Sequence, residues 1–377
     1  MIQNLQLIPP SVTPPLDADF RPISLTNFRF NQQVERNGSP LIIGLERNDA
    51  EISRFEMKIY PENHPDFSKN YQIVERTIKF LLWQRGGFRI YIGGCKPIAD
   101  FIQKCYSPNG ERAFDYHFMG EQVYERPFEV IPCDPHEVPL GHEDGKSIGQ
   151  HLNGCRVGFD LGASDRKASA IIDGKVVYSE EIIWEPRKHS DLDYHYREIM
   201  AAIKNAAAKM PRLDAVGGSS AGIYINNRPM VASLFRGIPK NQADEVKNLF
   251  VRIQNELNVP LFVINDGDVT ALAGSMSIGD NAILGIAMGS SEAAGYVNPN
   301  GNIMGWLNEL AFAPIDYNPH APIEEWSGDK GCGASYLSQQ CIFRLAPKVG
   351  IALPPNITDA EKQKQPGAQK LGGTLRF

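Results

Sequence analysis

The sequence predicts an α/β protein with mixed sheets flanked by helices, preceded by an N-terminal α/β extension. Three observations lead there. From Cys155 onward, short apolar and β-branched runs alternate with helical spacings, the pattern of a sheet covered by helices. Residues 70–106 read as helix, strand, Gly-Gly and helix, a small α/β unit of their own. Between the two lies DPHEVPLGHEDGKSIGQ, polar and rich in turn formers, which reads as a linker. The expected division is therefore an extension with an irregular arm and linker over 1–150, a main region over 151–350, and a polar, disordered tail over 351–377.

In chain order, Pro9, Pro10, Pro14, Pro15, Pro22 and Pro40 predict an extended arm or irregular edge strands over the first 40 residues. Paired strands follow over 41–60. The spacing of Ile73, Val74, Ile78, Leu81 and Leu82 predicts a helix closed by Gly86 and Gly87. FRIYIGG reads as a buried strand, Pro97 opens a short helix, and YHFMGEQVYERPFEVIP reads as strands. In the main region the expected strands are CRVGFDLG, KASAIIDG, KVVYSEEIIW, LDAVGGSS, PLFVIND, AILGIAMGSS and AAGYVNP. The helices are YREIMAAIKNAAAKM, ADEVKNLFVRIQNEL and VTALAGSM.

Composition narrows the function classes. Of 377 residues, 42% are hydrophobic and 22% charged, close to an average globular protein, and no apolar run reaches a membrane span. The net charge of −6 offers no basic field for a phosphate backbone, so neither nucleic acid nor membrane is an expected partner. The opening residues lack a basic segment followed by a long apolar one. The six cysteines form no CxxC pair, so a reduced, cytoplasmic location is expected.

Three segments carry chemistry. In VGFDLGASDRKASAIIDG a strand ends at Asp160 and turns through Gly162, Ala163 and Ser164. Small residues there let backbone N–H groups approach an anion, and a strand-end carboxylate can hold hydrated Mg²⁺. An ordinary hairpin accounts for the same residues. In VPLFVINDGDVTALAGSM a buried strand delivers Asn265, Asp266 and Asp268 to a helix start, where they either cap the helix or do chemistry. In AILGIAMGSSEAAGYVNPNG a Gly289-Ser290-Ser291 turn joins two strands. Asn226, Asn227 and Arg228 suit hydroxyls or a phosphate, and equally suit an exposed turn.

In this order the three segments resemble the phosphate and catalytic motifs of the actin-like, hexokinase-like, ribonuclease-H-like ATPase superfamily, in particular its ROK sugar kinases and repressors. The first is similar to D-I-G-G-T followed by a lysine, matched by Asp160, Leu161, Gly162, Ala163, Ser164 and Lys167. The second resembles E-N-D-A-N, and the third resembles G-T-G, with Gly289, Ser290 and Ser291. The resemblance covers roughly residues 155–345. It implies an ATP- and Mg²⁺-dependent transferase that phosphorylates a sugar hydroxyl. Asp266 would be the base and Asp160 would hold Mg²⁺ through water. Gly162, Ser164, Lys167, Gly289, Ser290 and Ser291 would meet the nucleotide phosphates, and Asn226, Asn227, Asn265 and Glu309 the sugar. The implied partners are a small-molecule sugar and a nucleotide, and a homodimer is compatible with it.

The sequence departs from the family pattern at several points. Glu292 follows the third turn, where a carboxylate repels phosphate unless compensated. Phe312 stands in the histidine position downstream of Glu309, and Cys332 alone cannot build a tetrahedral zinc site, so no structural zinc is expected. The family's adenosine motif, a strand, Gly-Gly and helix, is not found in EKQKQPGAQKLGGTLRF. Either the chain is altered there, or FRIYIGGCKPIADFIQKCY substitutes by circular permutation. Two other readings keep the fold: a non-catalytic sugar or nucleotide sensor, and an ATPase that activates a partner. The repressors' helix-turn-helix is not found in the first 150 residues.

Overall fold

A computed structural model describes residues 5–149 and 151–353. They fall into two compact units, one within Met1–Phe30, Met288–Glu292 and Leu310–Phe377, the other within Asn31–Ala287 and Ala293–Glu309.

The first unit corrects the expectation of an irregular arm. Helix α1 spans Ile23–Val34 and buries Ile23, Thr26, Phe30 and Val34, one helical stripe. The prolines all lie outside it, and Pro22 sits just before its start, a position that proline tolerates. The chain entering α1 is tied down by a bridge between Pro22 and Asp316, and by Tyr317 N–H donating to the Arg21 carbonyl at 2.9 Å.

The second unit opens with a four-stranded sheet. Strands β1 (Ser39–Glu46) and β2 (Ile52–Ile59) form the expected antiparallel pair. Helix α2 (Lys69–Arg85) buries Ile73, Val74, Ile78 and Leu82, and ends at Gly86, whose φ of 86° is natural only to glycine. Strand β3 (Arg89–Gly93) pairs antiparallel with β1, and helix α3 spans Lys96–Cys105. The strands expected over 116–124 are instead helix α4 (Ala113–His117) and a π-helical turn over Phe118–Val123. Aromatic residues raise β-propensity there, but Phe114 and Phe118 stack against Trp83 of α2, and this packing overrides it. Strand β4 (Glu129–Cys133) completes the order β2-β1-β3-β4. The expected linker carries only the two-residue strand β5 (Gly145–Lys146).

The central sheet follows. Strands β6 (Cys155–Leu161), β7 (Asp165–Ile172) and β8 (Lys175–Ile183) make an antiparallel meander. Helix α5 (Leu192–Ala207) leads to β9 (Ala215–Ser220), which pairs parallel with β6. A small hairpin of β10 (Ile223–Ile225) and β11 (Arg228–Val231) comes next. The single helix expected over 243–257 is broken at Asn248 into α6 (Ala243–Lys247) and α7 (Leu249–Leu257). Strand β12 (Leu261–Asn265) pairs parallel with β9 and runs directly into α8 (Asp266–Ile278). The sheet order is β12-β9-β6-β7-β8. Val157, Phe159, Ile199, Ile203, Phe250 and Val263 are among the residues of its core. A last sheet joins β13 (Ile283–Met288), β14 (Glu292–Val297), β15 (Ile303–Met304) and β5. Helix α9 (Gln339–Leu345) belongs to the first unit.

Helix α8 lies unusually close to β14. A Cβ on Gly267 would come within 2.3 Å of the Ala294 carbonyl oxygen, and one on Gly295 within 2.3 Å of the Asp268 Cα. Only glycine permits this contact, which seals the start of α8.

Candidate functional site

Parallel strands β6, β9 and β12 end side by side, with Asp160, Ser219 and Ile264 in register. The C-terminal ends of such strands are where ligands of open α/β sheets bind. Asp160 stands at the first strand end, half exposed. Asp266 follows the third, at the first position of α8, where Asn265 caps the helix by accepting from Gly267 N–H at 2.7 Å. Burial pushes the Asp266 carboxyl above its ordinary range, and the nearby charge of Asp160 pushes it further. The capping role thus falls to Asn265, and the Asp266 carboxylate is not the cap.

The turn after β6 is tightly held. Gly162 N–H donates to the Asp165 carbonyl at 2.9 Å, and Trp184 Nε1 donates to the Gly162 carbonyl at 2.8 Å. Ser164 Oγ donates to the Asp165 carboxylate at 3.0 Å. Lys167 Nζ pairs with Asp165 at 2.8 Å and lies 3.9 Å from Asp160. Hydrogen bonding to Asp165 holds the Lys167 ammonium above its ordinary value. Asp165 therefore occupies the serine and lysine that the sequence assigned to phosphate.

Along β12, at Leu261–Asn265, is a cavity of about 410 Å³; neither Asp160 nor Asp266 is among its lining residues. Asn226, Asn227 and Asn265 line it, so the structure gathers three of the four residues assigned to the sugar, while Glu309 is not among its lining residues. Asn227 has both ends of its amide engaged, donating to the Leu261 carbonyl at 2.7 Å and accepting from Val263 N–H at 2.9 Å. Asn265 likewise donates to the Gly222 carbonyl at 2.8 Å. Asn226 accepts from Lys146 Nζ at 2.9 Å. Glu309 is held by its backbone, its N–H donating to the Trp83 carbonyl at 2.9 Å.

Several lining residues carry no role in the sequence reading. Asp268, one turn into α8, is almost fully buried. Burial lifts its carboxyl to about 7, although Asn308 Nδ2 donates to it at 3.1 Å. Tyr224 also lines the cavity; burial pushes its hydroxyl up, and a hydrogen bond with the Ser220 hydroxyl at the end of β9 opposes that. Asp268 was legible as the second acid in N-D-G-D, but the close approach of Gly295 to its backbone comes from farther along the chain.

Gly289, Ser290 and Ser291 fall in the other compact unit. Gly289 N–H donates to the Ser291 carbonyl, and the Gly289 carbonyl accepts from Gln339 N–H, both at 3.0 Å. Glu292, the residue that departs from the family pattern, is buried with Oε2 unpartnered, and burial lifts its carboxyl to about 7. The raised proton affinity lowers the share of Glu292 that carries a repelling charge near neutrality. Among the described residues no three histidine, cysteine, aspartate or glutamate side chains gather as a metal cluster, and no helix is long and apolar enough to cross a membrane. Gly372 and Gly373 lie outside the described residues.

The central sheet defines the class of protein. A meander of three strands followed by two parallel strands on the other edge of the first is the ribonuclease-H-like sheet of actin-like ATPases. The chain thus has the α/β, actin-like ATPase fold expected from its sequence. No protein-family profile and no curated protein matches the chain. Among solved structures it is similar to a ROK hexokinase from Thermus thermophilus, at 17% identity over 58% of this chain and 72% of that one, TM-score 0.43. It is also similar to a ROK family transcriptional regulator, a homolog of the E. coli MLC protein, at 19% identity over 59% of this chain and 60% of that one, TM-score 0.41. A glucokinase from Parabacteroides distasonis aligns at 17% identity over 59% of this chain and 66% of that one, TM-score 0.36.

Proposed function

We propose that the protein is an ATP- and Mg²⁺-dependent phosphotransferase acting on a sugar hydroxyl. The observation that carries this reading is the pair of carboxylates at the ends of β6 and β12, Asp160 half exposed and Asp266 partly buried, with a proton affinity raised by burial and by the charge of Asp160.

Asp266 is the base. A carboxylate raised above its ordinary range is a better acceptor for the proton of an attacking hydroxyl. The cavity supports the reading through Asn226 and Asn265: Asn265 lines it and directly precedes Asp266 in the chain, although neither Asp266 nor Asp160 is itself a lining residue. Asp160 fits a hard divalent cation: its carboxylate is accessible and its oxygens are the right donors, with Lys167 Nζ 3.9 Å away and a second acid, Asp266, near it. Bound there, Mg²⁺ would neutralise charge on the transferring phosphate. Gly162 and the small turn around it leave room for phosphate oxygens, while Lys167 and Ser164 must first release Asp165. Gly289, Ser290 and Ser291 would offer phosphate contacts from a turn of their own unit.

The test is a coupled assay for ADP over a panel of hexoses and hexosamines. Sugar-stimulated ADP formation that drops by at least ~10³-fold in Asp266→Asn supports the kinase. Sugar binding without ADP formation in the parent chain moves the assignment to a sugar sensor of the same fold. ADP formation indifferent to sugar moves it to a partner-activating ATPase.

A further inference from the structure

The extension preceding the central sheet has no role in the chemistry above, yet its first hairpin reaches the cavity. Arg47, Asn48, Asp49 and Glu51, the turn between β1 and β2, line it together with Lys146 and Trp306. The turn is closed by Arg47 N–H donating to the Glu51 carbonyl at 2.9 Å. Its two tip residues, Asp49 and Ala50, have φ of 60° and 58°, a left-handed pair that hairpins ordinarily give to Asn-Gly. Neither is glycine, so the tip holds a costly backbone where an easier residue was available.

The base of the turn is fixed with unusual care. The Arg47 guanidinium, 2% exposed, pairs with Glu51 at 2.9 Å and with Glu143 at 3.2 Å, and bonds the Ser53 hydroxyl. Glu143 also accepts from Trp306 Nε1 at 2.9 Å and pairs with Arg85 at 3.4 Å. The Arg85 guanidinium lies 3.3 Å from the centre of the Trp306 ring. Burial alone would lift the Glu143 carboxyl, but the Ser53 hydrogen bond and the charges of Arg85 and Arg47 hold it below its ordinary value. One ionised network thus joins the hairpin to the opposite wall, at Trp306.

The chemistry of the wall defines what it accepts. Arg47 is already neutralised by two carboxylates, and Lys146 Nζ donates to Asn226 Oδ1 at 2.9 Å, while Asp49 also lines the cavity. What remains is a set of amides, among them Asn48 and Asn226, over apolar surface from Ile148, Ile223 and Ile303. Amides and a carboxylate over an apolar floor suit a molecule with many hydroxyls and hydrophobic C–H faces.

We propose that the Arg47–Glu51 turn is the specificity-determining wall of the cavity and selects an uncharged polyhydroxylated ligand, a sugar bearing neither phosphate nor carboxylate. This rests on the sugar reading of the same cavity, and it gives the extension a function that the actin-like sheet does not supply.

The test is titration calorimetry of the full chain without nucleotide, using glucose, N-acetylglucosamine, maltose, glucuronic acid and glucose 6-phosphate. The variants are Asn48→Ala, Asp49→Ala and Asp49→Gly. The expected result is binding of at least one neutral sugar, stronger than that of either anionic one, and weakened at least 10-fold by each variant. Asp49→Gly should at the same time raise the melting temperature, because it relieves the left-handed residue, which separates lost binding from lost folding. Equal affinity in the variants, preference for the anionic sugars, or no binding of any neutral sugar overturns the proposal. Neutral-sugar binding that depends on the turn but never leads to ADP leaves the wall standing and removes the kinase. Turnover with KM unchanged in Asn48→Ala and Asp49→Ala does the reverse.

Discussion

Asp268 should make the protein less stable as the solution becomes alkaline, and replacing it should remove that dependence. Its carboxyl rises from 3.8 to about 7 on folding, because α8 is pressed against β14 by Gly267 and Gly295. Below the unfolded value both states are protonated and the group costs nothing. As pH rises the unfolded chain ionises first, and the folded state, binding the extra proton, loses stability until the pH has passed through about 7. A difference of about 3 pKa units at 1.36 kcal/mol each amounts to roughly 4 kcal/mol in total, of which about 3 kcal/mol is lost between pH 5 and pH 8. Asp268→Asn keeps the shape and an acceptor for the Asn308 amide while removing the ionisation. Urea unfolding of both proteins at pH 5 and pH 8 measures the difference directly. The variant should gain about 3 kcal/mol relative to the parent over that interval. An unchanged gap between the two proteins would show that Asp268 ionises freely in the folded state and that α8 is not sealed.

Gly295→Ala should destabilise by about 3 kcal/mol or more in the same unfolding assay, since the new Cβ meets the Asp268 backbone and the contact cannot relax without moving α8. Glu143→Ala should cost on the order of 3 kcal/mol, because it leaves Arg47 with one carboxylate and the Trp306 indole N–H without its acceptor; a change under ~1 kcal/mol would mean the network is looser than its geometry. Tyr224→Phe removes a buried hydroxyl whose side-chain partner is the Ser220 hydroxyl, so folding stability should fall by no more than about 1 kcal/mol. If that hydroxyl meets the substrate, KM for the sugar should rise about 10-fold in steady-state assays with kcat little changed.

How much of this was legible in the sequence depended on distance along the chain. Helix α2, with its apolar stripe and Gly86 cap, and the strand-to-helix passage from β12 to α8 at Asn265 and Asp266 are local patterns, and both were read correctly. The central meander followed from alternation and from the Asp173-Gly174 turn. Helix α1 was hidden by the prolines before it, and the helical turns over 113–123 by aromatic residues whose packing on Trp83 outweighs their strand preference. The site divides in the same way. Asp160 and Asp266 could be placed from strand-end motifs alone. The cavity could not, because its walls meet through pairs such as Arg47 with Glu143 and Lys146 with Asn226, separated by 96 and 80 residues.

The fate of the γ-phosphate of ATP tests the central assignment most directly. Phosphorus-31 NMR of the protein with Mg²⁺, ATP and the sugar that binds best should show a new phosphomonoester resonance growing as the γ resonance falls, and neither change in Asp266→Asn. Inorganic phosphate in its place, or an unchanged spectrum despite sugar binding, would contradict phosphoryl transfer by the Asp160 and Asp266 pair.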